Sequence, residues 1–331
     1  MNLRHMISED IIFRVTSEAT FSEAALSIFK YQFEYNSVYR SFCDLLYKNP
    51  SEVRSIEQIP FLPIQFFKTH KIITKSCPTQ VTFSSSGTTG NELSKHYVSD
   101  LDIYKKSFRR SFQLFYGDIK DYTILALLPS YLERKGSSLV YMTDDMIKES
   151  NQTESGFYLD DLKALKDTLL RLEKEGQKTL LIGVSYALLD LIKAHDFKLK
   201  HTIVMETGGM KGQRKELVKS ELHSILKDGF GVNKIHSEYG MTELLSQAYS
   251  KGEGIFQTPP WMKIIIRDPE DALSIQPTAK SGGINVIDLA NINSCAFIAT
   301  QDLGKTHSNG TFEILGRFDE SDIRGCNLMV I

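Results

Sequence analysis

Between Thr79 and Glu243 short β-compatible apolar runs alternate with longer helical stripes, and this alternation restricts the possible folds more than any other feature of the chain. Thr79–Phe83, Thr123–Leu128, Thr179–Ile182, His201–Met205 and the run beginning at Lys234 read as strands. Leu101–Tyr116, the stripe Leu159, Leu162, Leu165, Leu169 and Leu172, the segment Ser185–Lys193, and the stripe Leu217, Leu222, Ile225 and Leu226 read as helices. Strand and helix in turn predict an α/β sheet flanked by helices. Asp160 and Asp161 stand in the first turn of the Leu159 stripe and Gly176 just past its end, which are start and stop signals. Ser185 is placed to cap the next helix, and Gly229 to end the one after it.

From about Ile255 the pattern changes. Lys263–Arg267, Gly283–Leu289, Ala296–Thr300 and Thr311–Leu315 are short strand-like runs separated by turn residues, which predicts a small antiparallel β-subdomain. The expected organisation is therefore an α/β core over 1–254 and a small β-subdomain with a C-terminal tail over 255–331. Ahead of the alternating region, Ser22–Tyr47 has helical spacing through Ala25, Ile28, Phe29, Phe33 and Val38, stopped by Pro50. The two prolines of IPFLPIQFFKTHKI exclude one regular helix there.

Composition narrows the classes of function. The 331 residues are 41% hydrophobic, enough for a sizeable core. With 39 basic against 41 acidic residues and no long basic run, neither nucleic acid nor an anionic membrane is an expected partner. The opening MNLRHMISED has no apolar signal region. The longest apolar stretch, Thr179–Ile192, covers 14 residues, short of the roughly 20 a membrane helix needs. A soluble, cytoplasmic protein with no membrane span is expected. Cys43, Cys77, Cys295 and Cys326 form no CxxC pair and no zinc spacing, so they read as reduced thiols.

Four segments have the residue types that chemistry needs. Ser84-Ser85-Ser86-Gly87-Thr88-Thr89-Gly90 follows a strand directly. It is either an ordinary Ser/Gly turn or a nest in which backbone N–H groups and hydroxyls surround a phosphate. No Gly-Lys-Ser/Thr follows, so it is not a Walker A loop. In His236-Ser237-Glu238-Tyr239-Gly240-Met241-Thr242-Glu243, Glu243 is a hard oxygen ligand for magnesium, Thr242 a phosphate donor and Tyr239 a surface for a base. A surface Glu and a buried Tyr fit the same residues. Thr300-Gln301-Asp302-Leu303-Gly304 and Gly316-Arg317-Phe318-Asp319 offer a carboxylate and a guanidinium for ribose hydroxyls, or plain turn chemistry. His96, His201 and His236 are the histidines to weigh as bases. A Ser–His hydrolase is set aside, because GVSYA has Ala187 where the nucleophile elbow needs glycine, and His236 reads as a wall or core residue.

In this order, SSSGTTG, YGMTE, TQDLG and GRFDESDIRG resemble the adenylate-forming superfamily of acyl- and aryl-CoA ligases. Glu206-Thr207-Gly208-Gly209 is similar to its glycine-containing adenine contact. IPFLPIQFFKTHKI, LLPSYLERKGSSLVYM, ETGGMKGQR and the ending RGCNLMVI resemble more narrowly the LuxE-type acyl-protein synthetases, relatives of phenylacetate-CoA ligase. The resemblance runs from about Ile59 to Ile331. It implies the superfamily's large-domain fold and ATP-dependent activation of a carboxylic acid, a long-chain fatty acid by this family's habit. The acyl group then passes through acyl-AMP to a cysteine near the C-terminus and on to a partner acyl reductase. By the same resemblance Ser85, Ser86, Gly87, Thr88, Thr89 and Gly90 contact phosphates. Gly208, Gly209, Tyr239, Gly240 and Met241 flank the adenine. Thr242 meets the α-phosphate, Glu243 the Mg2+ ion, and Asp302 with Arg317 the ribose.

Superfamily ligases continue for about one more small domain after GRFD, which supplies a lysine to the reaction. Here the sequence ends about a dozen residues after Asp319, so that C-terminal domain is expected to be lacking, and Arg134, Lys135, Lys211 and Arg214 are the basic residues near matched motifs. Cys326, after Arg324 and Gly325, is the thiol that the resemblance makes the acyl acceptor; a buried apolar cysteine docking Leu328–Ile331 is the other reading. Two further functions stay open from sequence: an acyl- or aryl-CoA ligase completed by a separate domain or partner, and a non-catalytic nucleotide-binding scaffold.

Overall fold

The computed structural model describes residues 9–75, 77–85, 92–129, 136–208 and 218–318. Among them, one large sheet contains β1 (Leu62–Pro63), β4 (Thr123–Leu127), β5 (Gly156–Phe157), β6 (Thr179–Val184), β7 (Thr202–Thr207), β8 (His236–Tyr239), β9 (Ala248–Ser250), β10 (Ile255–Gln257), β11 (Met262–Arg267), β12 (Ser281–Asp288), β13 (Phe297–Thr306) and β14 (Phe312–Arg317). A separate hairpin pairs β2 (Val81–Ser84) with β3 (Lys95–Val98). The spatial order of the large sheet is β5-β4-β6-β7-β8-β9-β10-β14-β13-β12-β11, with β1 parallel to β13. Pairings from β5 to β8 are parallel and those from β8 to β11 antiparallel. The expected α/β class and the antiparallel C-terminal strands are both present. The step from residue 254 to 255 falls inside this continuous sheet, at the turn into β10.

The parallel strands are apolar on both faces because helices cover both. All five residues of β4 are buried. Ile124 and Ala126 enter one core with Phe108, Phe112, Met142 and Met146, from helices Leu101–Tyr116 and Ser138–Ser150. Leu125 and Leu127 enter the other, with Leu165, Leu188 and Leu226 from helices Leu162–Glu175, Ser185–Ala194 and Lys219–Phe230. Gly183 on β6 is required there, since a Cβ would lie 2.8 Å from Leu127 Cβ.

Several local expectations hold and several change. Asp161 caps the helix Leu162–Glu175 by accepting from Ala164 N, and Gly176 ends it at φ 72°. Gly229, expected as a terminator, is helical. It lets the helix Lys219–Phe230 lie against Ile192, and Gly231 in the left-handed region ends the helix. Ser185 is the first helical residue rather than the cap, and its hydroxyl donates to Gly208 O at 3.1 Å. The stretch Ser22–Tyr47 is two helices, Glu18–Tyr35 and Ser37–Leu45. Asn36 divides them: its Oδ1 caps the second at Tyr39 N, and its Nδ2 donates to Ser294 O. Periodicity alone does not register such a cap.

Candidate active site

Because β6, β7 and β8 run parallel, their C-terminal ends share one edge, where ligands bind in open α/β sheets. That edge presents Ser185, Gly208 and Tyr239–Gly240. Gly208 has φ 68°, a conformation costly for other residues. Gly240 is confined by packing: a Cβ there would run into the carboxylate of Glu238. Met241 is partly buried against the core.

Tyr239 ties this edge to the antiparallel strands. Its ring meets Phe256 and Phe312 edge-on, at 6.1 and 5.8 Å between centroids. Its hydroxyl donates to Asp302 Oδ2 at 2.7 Å, and Arg317 Nε lies 3.3 Å from Asp302 Oδ1. Asp302 and Arg317 are direct partners across β13 and β14. Of the two readings of these residues, ribose contacts or plain turn chemistry, the turn does not hold: both lie in strands, where one register brings them together. Burial pushes the Asp302 carboxyl up from its ordinary value, against the Tyr239 hydrogen bond and the Arg317 and Arg267 charges. A carboxylate has about four acceptor sites, so these two contacts leave capacity for a pair of ribose hydroxyls. Behind it Arg267 donates to Ile284 O, Asn285 Oδ1 and Thr300 O, and its guanidinium lies over the Phe318 ring at 5.5 Å.

The backbone of Thr242–Ser246 is held by three buried side chains, His96 from β3, Asp288 from the end of β12 and Asn291 just after it. His96 Nδ1 lies 2.9 Å from Thr242 O, and since a carbonyl only accepts, Nδ1 is the protonated nitrogen. Asn291 Nδ2 donates to Glu243 O at 2.8 Å. Asp288 accepts from Leu245 N, Ser246 N, Ser246 Oγ and Ala290 N, and burial still pushes its carboxyl up to about 6. Glu243 itself is buried. Among the described residues no three His, Cys, Asp or Glu side chains cluster as a complete metal cage. Magnesium keeps several waters and is bound by one or two carboxylates plus phosphate oxygens, so the single carboxylate of Glu243 would fit it only together with a bound phosphate.

Ser85, at the end of the β2–β3 hairpin, is clamped to Ser94: its N–H donates to Ser94 O at 3.0 Å, and its Oγ accepts from Ser94 N at 3.1 Å. Ser86, Gly87, Thr88, Thr89, Gly90, Gly209 and Cys326 lie outside the described residues, as do Arg134, Lys135, Lys211 and Arg214. The other three cysteines are described. Burial pushes the Cys43 thiol up to about 12 and raises Cys295 above its ordinary value. Cys77 takes a hydrogen bond from Thr74 Oγ1 at 3.1 Å.

Sequence reasoning left out Asp288, Asn291 and the two glutamates flanking the edge, Glu206 and Glu238. Glu206 and Glu238 belong to quoted motifs, so their proximity to the site was readable, but not which face each takes. Glu206 Oε1 lies 3.1 Å from Lys219 Nζ and 3.4 Å from His223 Nε2, whereas Glu238 Oε2 accepts from Thr207 Oγ1 at 2.5 Å. His236, read as a wall or core residue, faces Tyr116 OH at 3.2 Å, and burial pushes its imidazole down to about 4.

Solved structures of other proteins share this fold. ATP-bound MatB from Rhodopseudomonas palustris is 18% identical with a TM-score of 0.53, over 72% of this chain and 48% of that one. The open conformation of 2-hydroxyisobutyryl-CoA ligase in complex with 2-HIB-AMP and CoA is 12% identical with a TM-score of 0.66, over 92% of this chain and 70% of that one. The chain thus spans about half the length of MatB. Identities this low speak to the fold, which is that of adenylate-forming ligases. No curated protein matches the sequence. The family model described as acyl-protein synthetase, LuxE, matches residues 14–331. With nearly the whole chain inside that match, the protein belongs to the LuxE acyl-protein synthetase family.

Proposed function

We propose that this protein uses ATP to convert a carboxylic acid, a long-chain fatty acid in the first instance, into acyl-AMP. It then transfers the acyl group to a thiol, Cys326, for delivery to a partner acyl reductase in the cytoplasm. The observation that carries the reading is the joining of Tyr239, Asp302 and Arg317, from three separated motifs, at the C-terminal edge of the parallel strands.

A carboxylate oxygen attacks the α-phosphorus, the bond to the β-phosphate oxygen breaks, and pyrophosphate leaves with the electron pair. The thiolate sulfur then attacks the acyl carbonyl and AMP leaves. Asp302 and Arg317 hold the ribose, while Gly208, Gly209, Tyr239, Gly240 and Met241 flank the adenine. Ser85, Ser86, Gly87, Thr88, Thr89 and Gly90 donate to phosphate oxygens, and Thr242 to the α-phosphate. Donors preorganised in this way commonly supply about 10²–10³ in rate each. Glu243 would hold a magnesium ion, which offsets the repulsion between the incoming carboxylate and the triphosphate. Cys43 and Cys295 are poor acceptors, because burial disfavours their thiolates.

ATP–pyrophosphate exchange across a panel of fatty and aryl acids tests the first half. Exchange with none of them would sink the reading and favour a non-catalytic nucleotide-binding scaffold. Labelled acid with Mg-ATP tests the second. A hydroxylamine-sensitive label on the protein is expected, and Cys326→Ser should abolish it while leaving exchange intact; a label that persists on Cys326→Ser removes that thiol from the mechanism. A CoA ligase, completed by a separate domain or partner, is the second reading, since a CoA-bound ligase shares this fold. It predicts CoA-dependent AMP release and no protein label.

A further inference from the structure

We propose that His96 is a positioning residue that holds the two phosphate-handling segments, the end of the β2–β3 hairpin and Thr242, at a fixed separation, an inference that rests on the function proposed above. The two segments belong to different sheets. Thr242 follows β8 of the large sheet, whereas Ser85 and Ser94 close the separate hairpin. His96 stands on β3 opposite Phe83 of β2, two residues from Ser94. Its fully buried ring reaches across to Thr242 O at 2.9 Å. Residues 86–91 connect Ser85 to Glu92, so a shift of the hairpin relative to Thr242 would move both attachment points of that segment.

Packing alone does not account for an imidazole here. The ring meets Phe67 edge-on at 5.7 Å, in an environment an apolar side chain would fill. Its Nε2 is buried with no hydrogen-bond partner among the described residues. An orphaned buried nitrogen is a cost that leucine or phenylalanine would avoid, so the feature that distinguishes histidine is the bond to Thr242 O. Burial pushes the imidazole down to about 4, which keeps the ring neutral at ordinary pH with Nδ1 as donor.

The test compares wild type with His96→Leu, His96→Asn and His96→Gln. The asparagine amide nitrogen occupies roughly the place of Nδ1, and that of glutamine the place of Nε2. In pyrophosphate exchange, His96→Leu and His96→Gln should raise KM for MgATP by about tenfold, equivalent to 1.4 kcal/mol. The KM for the acid should be unchanged, and His96→Asn should restore MgATP to within about threefold of wild type. Wild-type KM for MgATP in all three variants, or asparagine no better than glutamine, overturns the role. If His96→Leu does not fold, the asparagine–glutamine pair decides alone. A wild-type chain without exchange refutes the activity, and equilibrium binding of MgATP to the same proteins then carries the test. Weakened binding in His96→Gln but not His96→Asn upholds His96, and equal binding or none removes it.

Discussion

Glu206 and Glu238 are buried on neighbouring strands, on opposite faces of the sheet and beside the same edge, and their carboxyl groups are driven in opposite directions. Around Glu206, burial opposes ionisation, but the His223 hydrogen bond, the Lys219 charge and Ser237 outweigh it, and the carboxyl falls below its ordinary value. Around Glu238, burial dominates, the Glu206 charge adds to it, and the Thr207 hydrogen bond and the weaker reach of the Lys219 charge do not offset them, so the carboxyl is pushed up to about 7. The faces differ in what the covering helix brings. Helix Lys219–Phe230 contributes a cation and an imidazole, whereas helix Leu101–Tyr116 contributes Tyr104 and Tyr116, which feel the Glu238 charge. A buried carboxylate with a cation stays charged; without one, protonation becomes the cheaper state.

Removing the charge on the paired side should have the largest effect. Because the folded value of Glu206 lies below its unfolded one, its contribution is present above about pH 4.5 and disappears as pH falls through the folded value. Glu206→Gln should destabilise the protein by about 3 kcal/mol at pH 7, the lower end for breaking a buried pair, because Lys219 is one-third exposed. Urea unfolding should show the deficit shrinking toward pH 4; a neutral substitution at pH 7 would break the comparison.

Glu238 should behave in the reverse sense and by a comparable amount. Its folded value lies above its unfolded one, so its stability is complete below about pH 4.5 and is lost as pH rises toward about 7. At about 1.4 kcal/mol per pH unit across that window, Glu238→Gln should gain roughly 3 kcal/mol over wild type at pH 8 and nothing at pH 4. Equal gains at both values would mean that titration of this carboxyl is not the source. The smallest effect belongs to Thr207→Val, which removes a donor to Glu238. A loss of about 1 kcal/mol at pH 8 is expected, with the pH-dependent window extended upward; an unshifted window would show that the hydroxyl does not bear on the charge.

The contrast also marks where the sequence stops being informative. The helix Leu162–Glu175 was readable with both of its ends, because an amphipathic stripe, a capping Asp161 and a left-handed Gly176 are local signals. The stretch Ser22–Tyr47 reads as one helix by periodicity, although Asn36 caps a second one locally at Tyr39 N; only its other bond, to Ser294, 258 positions away, lies beyond the reach of sequence. Glu206 and Glu238 sit in matched motifs, yet their sequence neighbourhoods do not say which meets Lys219. Asp302 and Arg317 were each compatible with a ribose contact or with a turn, because glycine-containing segments suit both. Their pairing depends on the register of β13 against β14, with its irregularity between Leu303 and Gly304.

Taken alone, the sequence determined the α/β class, the antiparallel character of the C-terminal strands, the order of the four motifs and the family, whereas the change itself comes earlier, between β8 and β9. These follow from periodicity, turn chemistry and short motifs, which are local properties of a chain. Tertiary structure decided that Tyr239, Asp302 and Arg317 form one hydrogen-bonded set, that His96 donates to Thr242 O, and that two glutamates on neighbouring strands are shifted in opposite directions. Those outcomes depend on strand register, on the helix that covers each face and on burial, and each of the three arises from residues far apart in the chain meeting in space.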